Sequence, residues 1–199
     1  MLDLQNIDCM ELMKQYPDKY FDLAIVDPPY TDDTNGLKMG VERTEFHYET
    51  FNAPDGKYFA ELFRVSKNQI IWGGNYFDLP PSQGFLIWDK VQPFDFSSAM
   101  CEYAWMSFQS PAKIFKKHVV TAEPNKIHPT QKPVALYKWL LKNYAKQGDK
   151  ILDTHLGSGS SRIAAYDMGF DFYGWELDPD YFKDGNKRFE QFKSQLKLF

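Results

Sequence analysis

Two short stretches of this chain carry residues able to do chemistry. Asp27-Pro28-Pro29-Tyr30 follows the apolar run Leu23-Ala24-Ile25-Val26, and Asp153-Thr154-His155-Leu156-Gly157-Ser158-Gly159-Ser160 follows Ile151-Leu152. In the first, the Asp27 carboxylate and the Pro28 carbonyl can accept two N–H groups from one planar partner. Pro28 and Pro29 fix the backbone φ and so preorganise these acceptors. Tyr30 adds a flat face for stacking. In the second, Gly157 and Gly159 permit tight turning and close approach of backbone to a ligand.

The second stretch opens a strand–helix–strand unit that ends at Glu176, 23 positions beyond Asp153. An acidic residue at the end of the next strand can accept both hydroxyls of a ribose, so the unit reads as a nucleoside site. A dinucleotide site prefers a third glycine and a pyrophosphate cradle. Arg162 stands where that glycine would fall. This disfavours a nicotinamide-dependent oxidoreductase and favours a cofactor without phosphate.

These motifs need strands to carry them. Residues 1–30 read as strand, helix, strand, with the helix over Met10–Tyr16 and a buried strand over Phe21–Val26. Asp27 then falls at the C-terminal end of a strand, the edge where open α/β sheets bind ligands. Residues 31–50 read as a long polar loop and Gly56–Val65 as a helix. Strands are expected at Gln69–Trp72, Gly84–Trp88 and Tyr103–Phe108. A helix is expected over Lys132–Tyr144, with Pro133 in its first turn and Gly148 as its stop. Strand Lys150–Leu152, helix Ser161–Met168, strand Phe172–Trp175 and helix Phe182–Leu196 follow. Strands alternating with helices imply a single α/β domain with a mostly parallel sheet covered on both faces.

Together the motifs resemble those of the beta-class DNA amino-methyltransferases, in which the catalytic tetrapeptide precedes the cofactor loop. His128-Pro129-Thr130-Gln131-Lys132-Pro133 before a helix, the Asp153–Ser160 loop, and Phe172-Tyr173-Gly174-Trp175-Glu176-Leu177-Asp178-Pro179 are each similar to a family block. Ile71-Trp72-Gly73-Gly74-Asn75-Tyr76-Phe77 is similar to another. Residues 31–68 and 90–125 lie outside the resemblance. It implies a Rossmann-like methyltransferase fold in circularly permuted order, with S-adenosylmethionine as cofactor and double-stranded DNA as substrate. Asp8 would receive the cofactor adenine amino group, Glu176 the ribose, and Leu177 or Trp175 would flank the adenine. Thr130 and Lys132 would lie near the methionine end, with Asp27, Asp153, His155, Gly157, Ser158, Gly159 and Ser160 completing the cofactor set. Asp153-Thr154-His155 departs from the family's Asp-Pro-Phe, which removes some rigidity.

The resemblance assigns catalysis to Asp27, Pro28, Pro29 and Tyr30. An exocyclic base amine is a poor nucleophile, because its lone pair is delocalised into the ring. Acceptors on both N–H groups draw that pair toward the methyl group, and the base must first leave the duplex. Asp at the first position favours adenine N6 over cytosine N4. An RNA methyltransferase, or an inactive DNA- or nucleoside-binding module, is a weaker reading.

Composition is compatible with this. The 199 residues include 17 Phe, 12 Tyr and 5 Trp, which suits a core and stacking surfaces. Cys9 and Cys101 have no zinc spacing, and no disulfide framework or metal site is expected. No apolar run suits a membrane helix and no export signal is recognisable, so a cytoplasmic location is expected. The net charge of −4 excludes binding DNA as a simple polycation. Between Pro111 and Pro133, however, five lysines face a single acid, Glu123. The resemblance implies a target-recognition region between the catalytic strands and the His128–Pro133 block, so residues 90–126, with this strip and Phe94, Phe96 and Phe115, are expected to form a short insertion of that kind. Lys113, Lys116 and Lys117 are its candidate DNA contacts. The family also suggests a homodimer.

Overall fold

The computed structural model describes residues 1–30, 53–93, 99–118 and 126–196. The loop expected at 31–50, together with Phe94, Phe96 and Glu123, lies outside the described residues.

Eight strands form one sheet: β1 (Leu2–Asn6), β2 (Phe21–Val26), β3 (Ser66–Trp72), β4 (Phe85–Asp89), β5 (Cys101–Met106), β6 (Lys113–Lys116), β7 (Lys150–Asp153) and β8 (Asp171–Glu176). Their order across the sheet is β1-β8-β7-β2-β3-β5-β4-β6. All run the same way except β5, which is antiparallel to both neighbours. This is a mostly parallel, Rossmann-like arrangement, as the resemblance implies. The two motif-bearing strands, far apart in sequence, are neighbours: Leu23 pairs with Ile151 and Ala24 with Leu152.

Side-chain alternation explains why the central strands read as continuous apolar runs. Leu23 and Ile25, Ile70 and Trp72, Ile151 and Phe172 point to one face. There they meet α3 (Val134–Tyr144) through Leu136, Leu140 and Leu141, and α4 (Ser160–Asp167) through Ala164 and Ala165. Ala24, Val26, Ile71, Leu152, Tyr173 and Trp175 point to the other. That face is covered by α1 (Cys9–Met13) and α2 (Gly56–Val65), through Leu12, Met13, Tyr58, Phe59 and Leu62. Removing one such large side chain would cost about 2–5 kcal/mol. Helix α5 (Pro179–Leu196) closes the chain.

Helix ends differ from sequence expectation for local reasons. Helix α1 starts at Cys9 because Asp8 caps it, its carboxylate accepting the Met10 N–H at 2.7 Å. Helix α3 starts at Val134, since Pro133 is extended (φ −68°, ψ 141°) and Lys132 belongs to the site below. The stretch 90–126, expected as a recognition insertion, contributes β5 and β6 to the sheet itself. Strand β6 was invisible in sequence, because Lys113-Ile114-Phe115-Lys116 is a short, lysine-flanked edge strand.

Candidate active site

The C-terminal edge of the parallel strands carries a cavity of about 380 Å3. It lies where β7 and β2 adjoin, and the chain leaves these strands toward opposite sides of the sheet, the usual ligand position in such folds. Of the sequence-expected residues, Asp8, Asp27, Pro28, Pro29, Tyr30, Thr130, Lys132, His155, Gly157, Ser158, Ser160, Glu176 and Leu177 line it. Asp153 and Gly159 do not.

Asp153 instead secures the loop from beneath. It is buried, accepts the Ser161 hydroxyl at 2.5 Å and the His155 N–H at 3.1 Å, and burial pushes its carboxyl up to about 7. Gly157 and Gly159 take positive φ (49° and 71°), which turns the backbone into α4 without a Cβ penalty. Arg188 of α5 holds the loop from outside, donating to the Ser158 carbonyl at 2.8 Å and to Ser160 Oγ at 2.9 Å. Glu176, at the end of β8, accepts the Gly157 N–H at 2.6 Å and the Asp178 N–H at 2.9 Å. Burial raises its carboxyl above the ordinary range. Asp8 and Glu176 thus stand at the ends of β1 and β8, adjacent parallel strands.

His155 joins a chain of contacts. Its Nδ1 is 3.0 Å from Thr154 Oγ1, which is 2.7 Å from the Tyr58 hydroxyl, and its ring meets the Tyr58 ring edge-on. Burial lowers it to about 4, so it is neutral at pH 7. His128 is likewise pushed down to about 3, first by burial and then by Lys132. Its ring sits edge-on to Tyr181 and within 3.5 Å of where a Gly157 Cβ would project.

Asp27 is gripped from both sides. The Tyr30 hydroxyl donates to Oδ1 at 2.7 Å and Lys132 Nζ to Oδ2 at 2.5 Å. A donor on each oxygen, one of them the Lys132 ammonium, favours the carboxylate over the acid. Burial raises Asp27 above the usual carboxylate range, opposed by Lys132. Lys132 has a second partner that sequence reasoning missed: Glu102 Oε2 of β5 at 2.9 Å. Lys90, after β4, pairs with Glu102 Oε1 at 2.7 Å. Asp27, Lys132, Glu102 and Lys90 therefore alternate in charge from the cavity outward. Lys132, expected at the methionine end of a cofactor, contacts the Asp27 carboxylate.

Beneath Tyr30 lies the turn Gly73–Tyr76. The Tyr30 and Tyr76 rings stack at 5.0 Å and 12°, and Tyr76 is 63% exposed. The candidate DNA lysines separate. Lys116 and Lys117 lie at the cavity edge of the sheet, where β4 ends in Asp89. Lys113 lies at the opposite end of β6, donating to Asn143 Oδ1 at 2.8 Å and covering the Tyr144 ring.

A family model for N6/N4 DNA methylases matches residues 14–187. The chain belongs to that family. The type II methyltransferase M.HinfI of Haemophilus influenzae is 24% identical over 94% of this chain and 67% of its own length. Among solved structures, the M1.HpyAVI complex with S-adenosylmethionine superposes with a TM-score of 0.68 at 18% identity, covering 94% of this chain and 100% of that one. The cytosine-N4-specific PvuII DNA methyltransferase superposes at 0.61 with 12% identity, over 97% of this chain and 90% of its own. At such identities these two structures speak for the fold of this N6/N4 methylase family member.

Proposed function

We propose that this DNA methylase transfers a methyl group from S-adenosylmethionine to the N6 amine of an adenine extruded from duplex DNA. The observation that carries the reading is Asp27. Its carboxyl is held by the Tyr30 hydroxyl and the Lys132 ammonium, at the end of the strand next to the glycine-loop strand and facing the same cavity.

The cavity suits the cofactor. Asp8 and Glu176 supply acceptors for an adenine amino group and a ribose, and the loop at Gly157–Ser160 lets backbone come close. Among the described residues the lining's one lysine, Lys132, pairs with Asp27 and Glu102, and no arginine lines the cavity. S-adenosylmethionine supplies an electrophilic methyl group on a sulfonium.

The protein's part is to hold the amine. Asp27 accepts one N–H and the Pro28 carbonyl the other, which localises the nitrogen lone pair. Tyr30 stacks on the extracted ring. The N–CH3 bond forms as the S–CH3 bond breaks and the sulfur leaves as a neutral thioether; Asp27 meets the positive charge that develops on the nitrogen, takes the surplus N–H proton and passes it to solvent. Lys116 and Lys117, at the same end of the sheet as the cavity, are our candidates to meet DNA phosphates. Methyl transfer from labelled S-adenosylmethionine to mixed-sequence duplex DNA, with product nucleosides resolved, tests the reading. Labelled N6-methyladenine is expected. Labelled N4-methylcytosine would keep the chemistry and change the base. Bound cofactor with no label in DNA would overturn it.

A further inference from the structure

The Asp27–Lys132–Glu102–Lys90 row raises a physical question. A carboxylate meant to stabilise positive charge on a substrate nitrogen gains nothing from a lysine that simply cancels it. Lys132 is buried, its side chain 2% exposed, and its ammonium touches Asp27 directly. In a low-dielectric site that contact is strong. Lys132 orients Asp27 but also draws on its charge.

We propose that Glu102 is a positioning residue that offsets the Lys132 charge, so that Lys132 fixes the Asp27 carboxylate in place without neutralising it toward the substrate amine. The proposal rests on the reading of Asp27 as the amine acceptor. Three features of the structure support it. Glu102 Oε2 is 2.9 Å from Lys132 Nζ, so the ammonium is shared between two carboxylates. Glu102 comes from β5, the one antiparallel strand, whose first residues reach the cavity edge beside the end of β4. Its own burial is offset by Lys132 and Lys90, which hold it at about 2 and therefore ionised throughout the working pH range.

Lys90 anchors the far end. Its N–H bonds the Met100 carbonyl at 3.0 Å and its ammonium lies over the Trp88 ring. The turn that follows is unusual. Val91 adopts φ 53°, a conformation β-branched residues rarely take, and its N–H is held by Asp89 Oδ1 at 2.8 Å. Chain strain at Val91 coincides with the point where Lys90 turns inward to Glu102. Such strain persists when surrounding contacts determine the conformation.

The charge order gives the proposal a signature that loss of packing would not produce. Asp27 faces Tyr30, Lys132 and Glu102, with Tyr137 of α3 and Asp153 of β7 further off and His128 beside Lys132. Removing the Glu102 charge leaves the full Lys132 charge on Asp27, which stays ionised to lower pH. Removing the Lys90 charge leaves Glu102 uncompensated, which shifts Asp27 the other way.

The test is the pH profile of single-turnover methyl transfer for the wild type, Glu102→Gln, Lys90→Gln and Asp27→Ala, with S-adenosylmethionine affinity measured alongside. Glu102→Gln is expected to lose about tenfold in rate with cofactor Kd unchanged, and its acid limb to move to lower pH. Lys90→Gln is expected to move the limb to higher pH, which keeps the proposal testable should Glu102→Gln fold poorly. A slower Glu102→Gln with an unmoved limb would make Glu102 a packing residue and overturn the proposal. So would wild-type rates and limbs in both variants when Asp27→Ala is inactive. Wild-type transfer by Asp27→Ala would instead remove the underlying reading of Asp27.

Discussion

A Cβ added to Gly73 would lie 2.1 Å from the ring of Tyr30, across more than forty residues of chain. Gly73 also sits at φ 67°, where L side chains are strained. Its N–H is bonded to the Tyr103 carbonyl at 2.9 Å, so the backbone is not free to yield. The Tyr30 ring is therefore seated directly on peptide backbone. Gly73→Ala should push Tyr30 off Asp27 and lower kcat by about tenfold or more while leaving cofactor affinity unchanged. Calorimetric titration of the cofactor beside the transfer rate would show this. An unchanged rate would mean that Tyr30 has room to move.

Glu176 makes a different prediction. Its half-buried carboxylate is held between the Gly157 and Asp178 amides and faces the cavity. Glu176→Ala should weaken S-adenosylmethionine by ~1.5–3 kcal/mol, roughly ten- to a hundredfold in Kd. At saturating cofactor the transfer rate should recover. A variant with wild-type Kd would take Glu176 out of the cofactor site.

The candidate DNA lysines should not behave alike. Lys116→Gln and Lys117→Gln are expected to weaken duplex binding uniformly across sequences, and each to reduce the salt slope by about 1. Lys113→Gln, on the far end of β6, should leave both unchanged. Binding titrations at several salt concentrations distinguish them, and equal losses for all three would place the duplex elsewhere.

Stability should carry the mark of the two buried histidines. His128 and His155 have folded values of about 3 and about 4, well below that of an unfolded histidine near 6.5. Each therefore contributes stability present above pH 6.5 and lost as pH falls through its folded value. Asp153 acts oppositely, because its value of about 7 lets the folded protein keep a proton that the unfolded chain releases. From these three groups the uptake on unfolding between pH 6.5 and pH 4 is about one proton, a contribution of roughly 1.4 kcal/mol per pH unit to the slope, which the raised Asp27 and Glu176 carboxyls oppose. His155→Gln should flatten that slope. Urea unfolding across this window measures it, and an unchanged slope would assign the proton elsewhere.

Much of this architecture was legible in the chain, for reasons that can be named. Strands β2 and β7 are buried on both faces and so appear as apolar runs that end in Asp27 and Asp153. Helix α2 matched its expected bounds because its apolar residues recur at helical spacing behind the Asp55 cap. The site was only partly legible. Glu102 and Lys90 lie in a stretch without a motif, and β5 brings Glu102 to Lys132 only through an antiparallel pairing that sequence does not announce. Lys132 read as a cofactor residue because its block is a motif, while its partner Asp27 is 105 positions away. Local charge groups Lys113 with Lys116 and Lys117, but does not reveal that they occupy opposite ends of β6.

The central claim is that Asp27 holds the amine that is methylated. Its most direct test is single-turnover transfer of labelled methyl from S-adenosylmethionine to duplex DNA by the wild type and Asp27→Ala, with cofactor affinity measured in both. Equal cofactor affinity is expected, with a loss of about a hundredfold or more in the transfer rate of the variant. Wild-type transfer by Asp27→Ala would contradict it.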